Sequence, residues 1–427
     1  MTASASHSGS ESGSESGSAS GSESGSASGS ESGSASGSES GSASGFASAS
    51  ASAVFPGGAG LFRLDPGVAH LNHGSFGAVP APVAEAQRRL AEEAMADPDA
   101  FFLGVPDRLA AARERVAAHL GADPEGIAFV TNATEAANLA LDALRLDAGD
   151  EVLATDHGYG TVVAAAARRA RTAIVTLDPA LPDEDAVCET VLAAVTPRTR
   201  VALIDQISSP TARPLATPRL LAELRDLGIT TVVDGAHAPG MLDEPLAGEP
   251  DFWFGNLHKW AYAPSGSAVL AVAPAHRARV GAPVPSWEDD RGFPRAVEFR
   301  ATADYTGWLA APEGLDLLAG LGGDRVRAHN AGLVRYGAEL LDELPGVTPL
   351  PYGEGLAMRS LRLPPSLART RSEAAALREE IAARLDCRVL IWNWPGGGGI
   401  RISGQIYNRP EEYERLTAGL RELLARG

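Results

Sequence analysis

The chain has 427 residues, 44% of them hydrophobic and 21% charged, and a formal net charge of −18. Its first 53 residues hold five glutamates (Glu11, Glu15, Glu23, Glu31, Glu39) and no lysine or arginine, so the body carries −13, which speaks against binding a phosphate backbone. No apolar stretch approaches the ~20 residues of a membrane span, and two distant cysteines, Cys188 and Cys387, exclude a disulfide scaffold.

Residues 7–45 cycle through Ser-Glu-Ser-Gly and Ser-Ala-Ser-Gly units. Such a repeat buries too little apolar surface to offset chain entropy, so residues 1–53 are expected to form a disordered tail. The tail lacks the basic start and apolar run of a secretory signal, and a cytoplasmic location is expected. It reads as a solubilising extension, with a phosphorylated serine tract as the alternative. Residues 54–75 read as an N-terminal arm, 76–305 as a large domain and 306–427 as a small C-terminal domain.

Helical spacing is visible from Val83 to Met95 and from Leu109 to Leu120. The short apolar run Ile127–Val130 predicts a strand, and Thr134 opens a helix over Glu135–Leu144. Further strands are predicted at Glu151–Ala154, Ile174–Leu177, Val201–Ile204, Thr230–Val233 and Val269–Val272, with helices between them. Strands alternating with helices predict an α/β fold whose mostly parallel sheet is covered on both faces. Beyond residue 310 the pattern changes to a long helix (Asp324–Leu344), strands near Ala357–Leu363, Arg388–Ile391 and Ile400–Ile402, and helices at Ser372–Leu385 and Pro410–Ala425. That predicts a smaller α+β unit.

Of the 36 basic side chains, 35 are arginines and one is a lysine, Lys259. An arginine stays protonated, whereas a desolvated lysine amine can lose its proton and attack a carbonyl. Chance retention of a surface lysine is the competing explanation. Polar groups cluster where strands should end, which is where ligands bind in open α/β sheets. The turn Thr131-Asn132-Ala133-Thr134-Glu135 offers exposed N–H groups and hydroxyls suited to a phosphate. Asp234 ends a strand in Val232-Val233-Asp234-Gly235-Ala236-His237, where a carboxylate serves equally as a helix cap or a charge partner. A phosphate cradle, a strand-end acid and one special lysine are together the parts that pyridoxal phosphate (PLP) requires. No metal is expected.

These residues, together with Leu71-Asn72-His73-Gly74-Ser75-Phe76-Gly77, Asp205-Gln206-Ile207-Ser208-Ser209, Asn256-Leu257-His258-Lys259-Trp260 and Arg401-Ile402-Ser403, resemble the class-V aminotransferases. These are PLP enzymes of fold type I, and the likeness is to their isopenicillin N epimerase-like and L-cysteine desulfhydrase-like branch. The resemblance implies that Lys259 forms the Schiff base, Asp234 pairs with the pyridine nitrogen and His237 touches the phenolic oxygen. It places Ala133, Thr134, Ser209, Asn256 and His258 around the cofactor. Thr302 matches a phosphate contact lent by a neighbouring subunit, which implies a homodimer. Arg401 matches the arginine that grips the substrate carboxylate, with Asn72 and His73 beside it. Tyr159 and His157 both lie in the loop that stacks on the cofactor ring, and Tyr159 is preferred, also as a catalytic group. Gln206 stands where relatives usually carry histidine at the cofactor's edge. The implied function is chemistry at Cα of a small amino-acid substrate, epimerisation first and C–S lysis as the alternative. A non-catalytic protein that retains the fold is the reading outside the enzymes.

Overall fold

The sheet at the centre of the molecule is assembled from short runs of apolar residues that have no solvent-facing side. In a computed structural model, which describes residues 54–394 and 396–425, seven strands pair in the spatial order Ile127–Val130, Ala268–Val272, Phe252–Asn256, Thr230–Asp234, Thr199–Asp205, Glu151–Thr155 and Arg171–Val175. Only Ala268–Val272 runs antiparallel to its neighbours. The predicted tail, residues 1–53, lies outside the described residues.

Alternation along the strands sorts side chains onto two faces. Trp253, Phe129 and Leu153 pack on one side with the helices Pro98–Leu120 and Pro218–Asp226. Phe252, Phe254 and Val232 pack on the other with Ala136, Ala140 and Leu141 of the helix Ala133–Leu144. Both faces are therefore dry, as a parallel sheet demands. A second, antiparallel sheet of four strands joins Leu390–Trp394, Gly397–Ser403, Met358–Arg362 and Thr348–Pro349. Helices Gly323–Asp342, Arg371–Leu385 and Pro410–Leu424 share its core. The predicted fold class, α/β with a mostly parallel sheet and a smaller accompanying unit, is the one observed. No helix of the described residues is long and apolar enough to cross a membrane.

Three elements differ from expectation. The helix predicted from Leu109 starts at Pro98, capped by Asp97 accepting from the Ala100 N–H at 3.1 Å. Phe101 and Val105 continue the buried face of Leu109, and Pro106 is carried within the helix. The strand expected at Ile174–Leu177 runs over Arg171–Val175, because pairing with Glu151–Thr155 sets its register. The strand Phe252–Asn256 was not predicted, since only Phe252-Trp253-Phe254 is apolar before Gly255 and Asn256 break the run.

Ile127–Val130 is an edge strand that leads directly into the Thr131–Glu135 turn, and its exposed ladder group is satisfied from outside the sheet. Phe129 N–H donates to Glu298 Oε1 at 2.9 Å, while Glu298 Oε2 pairs with Arg113 Nη1 at 2.5 Å. Both charged side chains are buried. Replacing Glu298 by alanine leaves the Phe129 amide unpaired and removes one of two carboxylates from the Arg113 guanidinium, which keeps Glu125 Oε1 at 3.2 Å and Pro124 O at 2.8 Å. We expect Glu298→Ala to lower unfolding stability by about 2–3 kcal/mol in urea titration. A change within error of zero would contradict this role for the pair.

Candidate active site

The carboxyl ends of the central strands bring together the groups that the sequence scatters. Lys259 follows the strand Phe252–Asn256 by three residues, in a turn pinned by the Leu257 and His258 N–H groups on Ser267 O. Burial pushes the Lys259 amine down to about 8, the Arg401 charge adds to this, and Asp234 and Asp205 oppose it. Its nearest polar partner is His237 Nε2, at 3.3 Å.

Asp234 ends its strand beside Asp205, its register partner on the adjacent strand. Both carboxyls are buried. Asp234 accepts from Ala236 N–H at 2.9 Å. Burial pushes its pKa up to about 6, against the pull of that N–H and of Lys259. Asp205 is raised further, by burial and by the neighbouring Asp234 charge, although the Tyr159 amide draws it back.

The Thr131–Glu135 turn sits against the lysine strand. Asn132 caps the helix Ala133–Leu144 by accepting from Glu135 N–H at 2.9 Å, and Glu135 Oε2 accepts from both the Thr131 N–H and hydroxyl at 2.7 Å. Ala133 N–H donates to Asn256 Oδ1 at 2.9 Å, so the positive end of the helix meets the residue three before the lysine. Thr134 Oγ1 lies 3.4 Å from Thr161 Oγ1, and His258 Nδ1 is 2.9 Å from Ser267 O.

Arg401 is fully buried in the strand Gly397–Ser403. Its Nη1 donates to Ser209 O (2.7 Å) and Ser209 Oγ (3.2 Å), and its Nη2 donates to Asn72 Oδ1 (2.9 Å) and Ser75 Oγ (3.1 Å). None of these partners is a carboxylate, and Nε has no partner among the described residues. Burial lowers its pKa to about 10. A buried cation without a counter-charge is a receptor for an anion.

The segment Leu71–Gly77 packs against the lysine turn. His73 is buried with Nε2 2.9 Å from Lys259 O and Nδ1 3.1 Å from Tyr407 Oη, so it clamps the lysine backbone. Burial drives its pKa down to about 4. Gly77, at φ 74°, rests so near the His258 carbonyl that a Cβ would lie 1.9 Å from that oxygen.

The two stacking candidates differ in environment. His157 is buried, with its nitrogens 3.0 Å from Thr211 Oγ1 and 3.1 Å from Leu177 O and its ring edge-on to Trp394. Tyr159 is 50% exposed at the start of the helix Gly160–Ala167. Gln206 is not at the edge of this cluster: it donates to Pro245 O and accepts from Trp253 Nε1, both at 2.8 Å, because it points to the opposite face of its strand from Asp205. Thr302 is not brought to Lys259 within the chain. It lines a separate surface cavity of about 750 Å³ with Phe102, Leu103, Phe299 and Trp287.

Four neighbours had no role assigned from sequence: Asp205, Ser75, Trp260 and Gln405. Asp205 and Ser75 stood inside quoted motifs, but only pairing and packing reveal what they touch. Gln405 lies within 3.2 Å of His73.

The Aminotransferase class-V profile matches residues 105–416. The chain is 36% identical over 388 residues to an isopenicillin N epimerase of Amycolatopsis lactamdurans, covering 84% of this chain and 96% of that enzyme. It is 28% identical over 402 residues to an L-cysteine desulfhydrase of Arabidopsis thaliana, covering 84% and 88%. Its fold matches a cysteine desulfurase from Escherichia coli with a TM-score of 0.71 at 19% identity, over 86% of this chain and 97% of the other. With the profile spanning most of the folded body, the chain belongs to the class-V aminotransferase family of pyridoxal-phosphate enzymes.

Proposed function

We propose that the site binds PLP and acts at Cα of an amino acid, inverting its configuration as the epimerase relatives' name describes. The observation that carries this reading is the meeting of a depressed lysine amine, a buried strand-end carboxylate and a buried guanidinium with an unpartnered Nε in one site. The residues fit the cofactor. Asp234 is a dry anion suited to a cationic ring nitrogen, the helix start at Ala133–Thr134 suits a phosphate, and Lys259 is deprotonated easily enough to hold a carbonyl. When bound, PLP supplies the electron sink that stabilises negative charge at Cα.

The chain's own groups then have distinct tasks. Arg401 offers its unpartnered Nε–H to the substrate carboxylate, while Asn72 and Ser75 hold the guanidinium plane through Nη2. This orientation sets the Cα–H bond toward the Lys259 amine, which accepts the proton. Tyr159, half-exposed in the loop that opens the next helix, delivers a proton from the other side. Asp234 keeps the proton on the ring nitrogen.

C–S lysis is the second reading, because it needs a single base, which Lys259 provides. Desulfurase chemistry through a thiol is disfavoured. Cys188 and Cys387 are both buried and unpaired, and burial raises both thiols, which leaves no exposed thiolate to accept sulfur.

The partner subunit enters through Thr302. Its cavity is bordered by Trp287, 89% exposed, and Leu103, 79% exposed, an apolar rim suited to a second copy. We infer a homodimer in which this rim is covered. Light scattering of Trp287→Glu should show a shift from dimer to monomer; an unchanged dimer would contradict that interface.

Incubation with amino acids in D2O tests the reaction. Deuterium at Cα with loss of optical purity and no pyruvate is the expected result. Pyruvate and sulfide from cysteine would replace epimerisation by lysis, and no exchange with any amino acid would overturn the assignment of chemistry to Cα. Lys259→Ala should lower the exchange rate by about 10²–10⁴-fold. Arg401→Lys should raise KM about tenfold to a hundredfold with a smaller change in kcat, because it removes charge-assisted bonds made to the bound carboxylate. A KM unchanged in Arg401→Lys would place the carboxylate elsewhere.

A further inference from the structure

Trp260 follows the lysine and is buried among Met241, Leu356 and Met358. Its indole Nε1 donates to His237 Nδ1 at 3.4 Å, and His237 Nε2 lies 3.3 Å from Lys259 Nζ. An indole nitrogen can only donate. Nδ1 is therefore the lone-pair nitrogen, and a neutral imidazole must carry its proton on Nε2, facing the lysine. His237 is neutral because burial and the charges of Lys259 and Arg401 hold its pKa well below the usual histidine value.

We propose that Trp260 is a positioning residue: by fixing the His237 tautomer it presents an N–H donor to the Lys259 amine and so favours the neutral, nucleophilic form of that amine. The donor points at a lone pair that an ammonium group does not have. Without the indole N–H, His237 can protonate Nδ1 instead, and Nε2 can then accept from an ammonium. The other charges facing the amine are Arg401 from the antiparallel sheet and Asp234 and Asp205 from adjoining strands. None of them is altered by changing residue 260. The proposal rests on the reading of Lys259 as the reactive amine, but its test uses no substrate and no cofactor.

Lys259 is the only lysine in the chain. In cofactor-free protein, the pH dependence of acetylation by limiting acetic anhydride, read by mass spectrometry on the Lys259 peptide, therefore reports one side-chain amine. The wild-type midpoint is expected near 8. In Trp260→Phe it should rise by about one pH unit, a tenfold loss of neutral amine below the midpoint. Benzothienylalanine at position 260, which keeps the ring shape and lacks the N–H, should give the same rise and covers the case in which Trp260→Phe does not fold. Met358→Ala, which opens the same cluster without touching the N–H, should leave the midpoint in place. His237→Ala, which leaves no relay between the indole and the amine, should abolish the response to Trp260→Phe. An unchanged midpoint with benzothienylalanine, an equal shift in Met358→Ala, or a full response persisting in His237→Ala would each overturn the proposal. A wild-type midpoint near 10.5 would instead count against Lys259 as the reactive amine, which separates the two failures.

Discussion

A primary amine and two carboxylates share one dry space at the ends of adjacent parallel strands, and that constraint organises the rest of the molecule. Asp205 and Asp234 are neighbours in register, so both cannot carry full charge without help. The Lys259 amine gives that help. The price of burying these groups is met by the sheet, whose strands are covered on both faces and hold the backbone rigid beneath them.

Around this centre the segment Leu71–Gly77 forms a second wall. His73 grips the lysine carbonyl, Gly77 lies against the preceding peptide, and Asn72 and Ser75 hold Arg401. Leu71 O accepts from Ser403 N–H at 2.8 Å, which joins the arm to the strand that carries Arg401. The buried guanidinium and the lysine are thus tied together through seven consecutive residues. Arg401 comes from the antiparallel sheet and Lys259 follows a strand of the parallel one, so the relation between the two sheets sets the distance from guanidinium to amine.

Much of this was legible in the sequence, for identifiable reasons. The alternation of short apolar runs with helices predicts the parallel sheet, and the solitary lysine draws attention to itself because arginine does every other cationic task. Asp234 and the Thr131–Glu135 turn could be placed because strand ends are where polar residues interrupt apolar runs. The strand Phe252–Asn256 is illegible as an apolar run, since only Phe252-Trp253-Phe254 is apolar before Gly255 and Asn256 break it. The start of the long helix at Pro98 was missed because Pro106 interrupts it. Among the site residues, the turning of Gln206 toward Trp253 and the carbonyl clamp of His73 depend on which face a side chain takes. The bond from Trp260 to His237 joins residues 23 apart, which no local pattern encodes.

The account stands on a covalent link between this amine and an aldehyde cofactor. The most direct measurement is borohydride reduction of the purified protein followed by peptide mapping. The account predicts a single modified peptide, with the reduced cofactor's mass on Lys259. Cofactor released intact after reduction, or its mass found on any other residue, would contradict it.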